Sequence, residues 1–313
     1  MSFVMKIVYF VIDLIVPLYV GYLLAKNKKG NGKIYDKMLY GNIWAMVPLM
    51  GILSFWSINL SIDIIWLPII GVIMQIIPAL LGILGIKRYK EPSVQGSYII
   101  SVMLSNRKVA GSLSVFILFG EVGYAYAQFV LMLSSITVYM ICFPIAQYFY
   151  RKQRGGKQNK VSLRKILINK NQLPIVGIFI GIILNMSGIK RPIILGDLFH
   201  IIIHISAWMS LIPVGYSLNF GKIKKYKGEV LRISVIKFII TPLVTFLIAK
   251  LVVSDPIMIA TIVILACSPV AINAVVTAKV NKINVHLTMA SFIGTMIIYL
   301  IFVYPAILLF FNH

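Results

Sequence analysis

Two adjacent cations lie in the middle of an otherwise apolar stretch of the sequence, roughly residues 95–120. Residues 105–112 of that stretch read Ser-Asn-Arg-Lys-Val-Ala-Gly-Ser. A charge at the centre of a membrane helix costs on the order of 2.5–3.5 kcal/mol, so such residues usually face a cavity, a partner or a ligand. Arginine offers a planar fork to a carboxylate, and lysine a compact positive charge. Arg107 and Lys108 are therefore candidate ligands for an anion, unless they are structural charges or lie near the membrane surface.

A second interruption lies far downstream, where residues 268–273 read Ser-Pro-Val-Ala-Ile-Asn inside another apolar stretch. Both interruptions contain residues that weaken or break helices. Broken helix ends leave free N–H groups that favour anions and free carbonyls that favour cations. Asn106, Ser268 and Asn273 are neutral hydrogen-bonding groups at these ends. They are expected either to orient a ligand or to join neighbouring helices.

Four titratable side chains lie in other apolar stretches. Asp13 is expected to carry a proton, bind a cation or neutralise one of the two cations, unless it lies near the outer surface. Asp197, His200 and His204 follow at i, i+3 and i+7, on one face of a helix, which predicts a proton relay or a polar packing stripe. Asp13, His200 and His204 are thus the candidates for proton or ion coupling. A metal site is not expected, because seven residues of helix rise about 10 Å and the outer side chains cannot easily converge on one ion.

The composition is that of a membrane protein with many spans. The chain has 313 residues, of which 60% are apolar, whereas soluble domains are about 45–50% apolar. A net charge of +22 would suggest nucleic acid in a soluble protein. Most of these cations lie in short loops, so no nucleic-acid partner is predicted. Cys142 and Cys267 lie in apolar stretches, which argues against a disulfide framework or a zinc site. The sequence lacks the HExxH, GxSxG and phosphate-loop signatures, so we expect neither an enzyme nor a cofactor.

Ten apolar stretches are each close to the roughly 20 residues that a bilayer core requires. They cover residues 7–26, 39–60, 64–86, 95–120, 123–149, 172–189, 196–219, 231–253, 257–278 and 284–310. The odd-numbered loops between them contain 23 Lys and Arg residues, and the opposite side contains four. Positively charged loops stay in the cytoplasm, so these loops are predicted to be cytoplasmic and both termini outside, in the plasma membrane. Lys237, in the eighth stretch, is expected to extend along its stem to the cytoplasmic surface.

The basic segment 151–171 divides the stretches into five and five. Because five is odd, the second half enters the membrane with the opposite orientation. Residues 1–150 and 172–313 are therefore predicted to form two inverted five-helix repeats. Proline and glycine recur in matching order in the two halves: Pro48 and Gly51 lie in the second stretch, and Pro213 and Gly215 in the seventh.

Several of these residues resemble the auxin efflux carrier family, which includes bacterial malate permease-like carriers. The resemblance covers nearly the whole chain and is carried by residues 15–24 (Ile-Val-Pro-Leu-Tyr-Val-Gly-Tyr-Leu-Leu), residues 213–218 (Pro-Val-Gly-Tyr-Ser-Leu), Asn106 with Gly111, and Pro269 with Asn273. It implies an all-α membrane fold of ten helices in two inverted repeats, with helices four and nine broken and crossing at the midplane. It also implies small organic anions as substrates. Arg107 and Lys108 depart from the family, which usually has small uncharged residues there.

The sequence thus predicts a secondary active transporter that moves a small organic anion, such as malate or another carboxylate, by alternating access. H+ or Na+ is the expected coupling ion, the lipid bilayer is the expected surrounding, and a homodimer is left open. Two alternatives stay open: a cation/proton antiporter of similar fold that uses Asp13, and a non-transporting membrane sensor. The predicted substrate-binding residues are Asn106, Arg107, Lys108, Gly111, Ser268, Pro269 and Asn273.

Overall fold

The computed structural model describes residues 3–27, 32–154, 173–218 and 223–311. Over this part of the chain the protein is almost entirely helical, and the one extended pairing is an isolated antiparallel bridge between Ser105 and Val270. The helices in chain order are α1 (Val4–Lys26), α2 (Gly32–Ser57), α3 (Ile62–Arg88), α4 (Pro92–Met103), α5 (Arg107–Leu131), α6 (134–154), α7 (Leu173–Met186), α8 (Ile193–Tyr216), α9 (Lys227–Val252), α10 (Pro256–Ala266), α11 (Ile272–Val280) and α12 (Val285–Phe311).

Seven of these helices are long and apolar enough to cross a membrane, namely α1, α2, α3, α5, α8, α9 and α12, and two shorter apolar helices are α7 and α10. Large aliphatic side chains such as Ile183 and Leu251 stay exposed on helix surfaces, where lipid rather than water is the natural neighbour. The predicted class of an all-α integral membrane protein is confirmed. Of the predicted linker 151–171, only residues 151–154 lie within the described part, where they end α6.

Prolines mark the points where several helices widen. A five-residue π turn begins six residues before a proline in α1, α2, α6, α9 and α12. Proline has no N–H and its ring collides with the carbonyl of residue i−4, and a wider turn accommodates both defects. The turns are Val11–Ile15, Asn42–Met46, Val138–Cys142, Ile236–Ile240 and Tyr299–Val303. A widened turn also changes the direction of its side chains, which matters for the polar residues described below.

Four helices form a tightly packed group that we call the scaffold: α1 packs on α8, and α2 packs on α7. Glycine permits both contacts. A Cβ atom on Gly215 would lie 2.1 Å from the carbonyl oxygen of Leu18, and one on Gly177 would lie 2.3 Å from that of Pro48. Small residues at membrane helix interfaces let two backbones approach closely. The other helices, α3–α6 and α9–α12, pack around the interruptions in a second group that we call the crossing group.

Contacts between loops distinguish the two ends of the bundle. At one end, Asn284 contacts both Ser93, through its backbone N–H, and Tyr226, through its side chain. Tyr35 stacks on Tyr216 at the same end, which we call the basic end because its loops contain most of the described Lys and Arg residues. At the opposite end, loops meet through bonds from Ser254 to Asp63, from Trp56 to Ile189 and from Arg191 to Glu121.

Candidate functional site

The two interruptions of the sequence meet as a pair of extended segments. Residues 104–106 separate α4 from α5, and residues 267–271 separate α10 from α11. The backbone N–H of Asn106 donates to the carbonyl of Pro269 at 2.7 Å, and that of Ala271 donates to the carbonyl of Leu104 at 2.9 Å. These bonds make the antiparallel bridge of the fold, which we call the crossing.

Two neighbouring positions at the crossing also leave no N–H unpaired. The N–H of Val270 donates to the Thr295 hydroxyl at 2.9 Å, and Pro269 has no N–H to satisfy. In hydrocarbon an unpaired backbone polar group costs several kcal/mol, so irregular backbone is tolerated there only when it is paired or lines a cavity. Pairing two broken helices with each other meets this requirement.

Lys237 is part of the crossing, and the prediction that it extends to the membrane surface is wrong. Its side chain is 1% exposed, and Nζ donates to the Ser105 hydroxyl at 2.6 Å and to the Leu104 carbonyl at 3.3 Å. The ammonium thus lies at the C-terminal end of α4, where the helix dipole favours a cation. The carbonyls freed by the broken helix supply a nearer partner than the headgroup region does.

Arg107 is buried beside the crossing with an exposed fraction of 3%. Its Nη2 donates to the carbonyl of Met74 in α3 at 2.9 Å, while its Nε has no hydrogen-bond partner among the described residues. Lys108 differs, because its side chain is exposed and lines a cavity. Within the described part of the chain, neither Arg107 nor Lys237 has a carboxylate within salt-bridge distance. The crossing therefore gathers two buried basic side chains, Arg107 and Lys237, with no acidic partner in contact among the described residues.

A cavity of about 510 Å³ lies between the scaffold and the crossing group, and we call it the crossing cavity. The described residues that line it include no Asp or Glu. Its wall runs from the crossing toward the basic end, reaching Tyr40 in α2, Pro174 in α7 and Thr277 in α11. The polar lining residues are Asn42, Gln75, Ser105, Asn106, Arg107, Lys108, Ser112, Gln128, Ser134, Ser206, Ser210, Asn273 and Thr277.

Several polar atoms in this wall lack a partner. Asn42 donates to the Ser210 hydroxyl at 2.6 Å, which leaves its Oδ1 without a hydrogen bond among the described residues. The Ser134 hydroxyl and Arg107 Nε also have no hydrogen-bond partner among the described residues. Because buried polar groups are normally hydrogen-bonded, a cluster of unpaired ones around one cavity indicates that water or a ligand completes their hydrogen bonds.

The predicted substrate residues fall into two sets. Asn106, Arg107, Lys108 and Asn273 line the crossing cavity, together with the N-terminal ends of α5 and α11. Gly111, Ser268 and Pro269 do not line it and instead build the crossing. A Cβ atom on Gly111 would lie 2.6 Å from the Ser268 hydroxyl oxygen, so glycine is needed there for close packing.

No protein-family model matches the sequence, and no curated protein matches it significantly. The chemistry of the site has to be inferred from its own residues.

A second pocket, of about 570 Å³, lies at the end of the bundle opposite the basic end. Glu121 and Arg191 form an ion pair in its wall, with Nη1 and Oε2 2.5 Å apart, and His200 Nε2 lies 3.9 Å from Glu121 Oε1. Asp197 also lines this pocket, which we call the Glu121 pocket. Glu121 directly follows Gly120, whose φ of 63° and ψ of −149° bend α5 at this point.

The predicted helix face Asp197–His200–His204 divides between two partners. His200 faces the Glu121 pocket, whereas Nδ1 of His204 lies 2.5 Å from Oδ2 of Asp13 in α1. Asp13 is 1% exposed, so it does not lie at the surface, and its partner is His204 rather than either cation of the crossing.

Sequence reasoning missed one shared feature of the buried polar residues. Asp13, Asn42 and Lys237 all lie in π turns, and each precedes a helix proline by four to six residues. Isolated π turns inside α-helices are frequently found at functional sites. A polar residue at this distance before a proline in an apolar stretch was the available signal.

Proposed function

We propose that this protein is a secondary active transporter that moves a small organic anion, such as malate or another carboxylate, by alternating access. The observation that carries the proposal is the charge at the crossing. Arg107 and Lys108 line a cavity of about 510 Å³ whose described wall holds no carboxylate. Intramembrane charge is expensive, and Arg107, which has no carboxylate within salt-bridge distance among the described residues, is best compensated by an anionic ligand.

Helix ends reinforce this electrostatic preference. The N-termini of α5 and α11 begin at the crossing, and both lie in the cavity wall. The N-terminus of a helix carries a partial positive charge and unpaired N–H groups, which favour carboxylates. Lys108 would supply a point charge, and Asn106 and Asn273 would orient the bound group through hydrogen bonds.

The helix packing supports ten spans in two inverted five-helix repeats. Counting α4 with the first part of α5 as span four, the rest of α5 beyond Gly120 with α6 as span five, and α10 with α11 as span nine gives ten spans. In this count the α1–α8 contact joins spans one and seven, and the α2–α7 contact joins spans two and six. The two contacts are equivalent when each span of one half is exchanged for the matching span of the other half, as expected for two repeats. The loops also alternate between the two ends, as this count requires. This architecture, with broken spans four and nine, supports membership of the auxin efflux carrier family as part of the proposal.

Transport would follow from movement between the two helix groups. The crossing cavity lies at their boundary, and it extends toward the basic end. Because basic loops remain in the cytoplasm, that end is the cytoplasmic side of the plasma membrane and both termini lie outside. The described conformation is then the one open to the cytoplasm, and displacement of the crossing group along the scaffold would expose the site to the Glu121 pocket.

A cation/proton antiporter is less well supported. Such an exchanger needs an acid that binds the cation at the crossing, and Asp13 is paired with His204 in the scaffold instead. A decisive test measures uptake of labelled malate, succinate, lactate and benzoate into proteoliposomes that contain the purified protein. We expect saturable uptake of at least one anion, and loss of that uptake in the Arg107→Gln, Lys108→Gln double variant but not in Lys250→Gln. Uptake of none of these anions, together with sodium-driven proton flux, would favour the antiporter.

A further inference from the structure

Asp13 is a buried carboxylate in the hydrocarbon region that the proposed anion site does not use. It lies in the π turn Val11–Ile15 of α1, ahead of Pro17, and its side chain is 1% exposed. Its partner is His204 of α8, with Oδ2 and Nδ1 2.5 Å apart. The contact joins residues of α1 and α8, the two helices that Gly215 already packs together near the basic end. The packing of α1 on α8 therefore does not depend on this ion pair alone.

His204 occupies a position between the two cavities. On α8, Asp197 and His200 line the Glu121 pocket, and Ile203 and Ala207 line the crossing cavity. The His204 side chain is 30% exposed, in contrast to Asp13, so the imidazole is the more exposed member of the pair, and it lines neither cavity itself.

Aromatic side chains enclose the imidazole. Tyr9 stacks on His204 with ring centroids 4.9 Å apart, and Phe116 packs edge-on against it at 6.3 Å. Phe116 also contacts His200 at 5.5 Å, so one aromatic ring touches both histidines. The imidazole of His204 thus contacts both Tyr9 and Phe116, about one helical turn from His200.

Few other charged groups lie near this pair. On the neighbouring elements the titratable and charged side chains are Lys6 and Tyr9 of α1, Asp197 and His200 of α8, Glu121 of α5, Tyr304 of α12 and Arg191. Glu121 forms an ion pair with Arg191 and lies 3.9 Å from His200 Nε2. Asp13 is therefore the only carboxylate that the described structure places in contact with His204.

We infer that the Asp13–His204 pair carries a proton that is co-transported with the organic anion, one proton for each monoanion. The inference rests on the proposed function and adds its coupling ion. Proton uptake from water changes the pair from a net charge of −1 to neutral, and the same proton returns to water on the other side. Binding a proton and a monoanion together leaves the net charge inside the membrane unchanged, whereas binding either alone changes it by one. Because uncompensated charge is costly in low dielectric, the fully loaded and fully empty carriers are the two states that reorient readily.

The test compares two readouts in the same proteoliposomes, which contain pyranine as an internal pH indicator and are clamped to zero potential with valinomycin and potassium. The first readout is internal acidification after external malate, succinate, lactate or benzoate is added. The second is exchange of the labelled anion at equal concentrations on both sides, which needs no net proton movement. Protein-free vesicles correct for passage of the undissociated acid.

In the wild type we expect both acidification and exchange with the same anion. Asp13→Asn and His204→Gln should both abolish acidification. Asp13→Asn should retain exchange, because it keeps the pair neutral as in the loaded carrier, and retained exchange also shows that this variant is folded. His200→Gln, the matched control one turn away, should retain both.

Exchange in the wild type without acidification would overturn the coupling and leave the proposed function intact. Acidification at the wild-type rate in Asp13→Asn and His204→Gln, or loss of both readouts in both variants, would also overturn it, since the pair would then be dispensable or structural. Absence of exchange with every anion would overturn the proposed function and this inference with it.

Discussion

The backbone N–H of Asn106 and the carbonyl of Pro269, 163 positions apart in the sequence, form a 2.7 Å hydrogen bond at the centre of the molecule. This bond and its neighbour between Ala271 and Leu104 join two interrupted helices in antiparallel fashion. The join brings the N-terminal ends of α5 and α11 to one cavity, with Arg107 and Lys108 on its wall. The positive character of the site thus follows from the backbone arrangement as well as from the side chains.

Lys108→Gln should weaken anion binding. A charge-assisted hydrogen bond contributes about 1.5–3 kcal/mol, and about 1.4 kcal/mol corresponds to a tenfold change in affinity. We therefore expect the apparent KM for the transported anion to rise roughly tenfold or more, with a smaller change in the maximal rate, in a vesicle uptake assay. Lys250→Gln, an exposed lysine of α9 far from the cavity wall, is the control. An unchanged KM in Lys108→Gln would remove this residue from the binding role.

Lys237→Met should lower the thermal stability of the purified protein. The substitution removes the donor to the Ser105 hydroxyl and Leu104 carbonyl, and a buried polar group without its partner costs about 1–3 kcal/mol. Differential scanning fluorimetry in detergent measures the change against Lys250→Met, whose lysine is exposed. A lysine that reached the headgroups could be replaced almost without effect, so equal melting temperatures for both variants would contradict the buried placement.

Gly215→Ala should separate α8 from α1. The added Cβ atom would lie 2.1 Å from the Leu18 carbonyl oxygen, so the two backbones must move apart, and overpacking of this kind costs about 1–3 kcal/mol. The matched control is Gly228→Ala in α9, because a Cβ atom there would have nothing within 4 Å. We expect Gly215→Ala to lower the melting temperature and Gly228→Ala to leave it unchanged. Equal stability of the two variants would mean that the scaffold contact is looser than described.

Gly120→Ala should strain the bend in α5. Its φ of 63° and ψ of −149° belong to a region that only glycine adopts readily, and strain of this type costs about 1–3 kcal/mol. No atom lies within 4 Å of a Cβ at this position, so the effect would come from the backbone alone. The measurement is again the melting temperature, and a stable variant would indicate that the helix can straighten at this point.

The sequence predicted the features that local composition determines. Apolar stretches predicted an all-α membrane protein, and the polar interruptions at residues 105–112 and 268–273 predicted the two breaks, because helix-breaking residues act on their own segment of chain. Arg107 was recognised as a buried charge by the same logic. Its partner, the Met74 carbonyl, lies on another helix and could not be read from the spacing.

Side-chain direction was less predictable. Lys237 was expected to extend along its stem to the membrane surface, yet its Nζ donates to the freed carbonyl of Leu104 in the interior. Asp13 and His204 are 191 positions apart in the sequence. Hydropathy predicts how deep in the membrane each residue lies, but it does not predict which neighbouring helix the side chain faces. The π turns ahead of prolines change the direction of side chains such as Asp13 and Lys237, so an ideal helical periodicity of 3.6 residues misplaces them.

Anion binding by the purified protein tests the role of the crossing most directly. The measurement is the melting temperature in the presence of malate, succinate, lactate or benzoate, with chloride at equal ionic strength as the reference, since a ligand that binds the folded state stabilises it by mass action. We predict that at least one organic anion raises the melting temperature of the wild type and of Lys250→Gln, and that the rise disappears in the Arg107→Gln, Lys108→Gln double variant. An equal rise in the double variant, or stabilisation by sodium and by none of the anions, would contradict an anion site at the crossing.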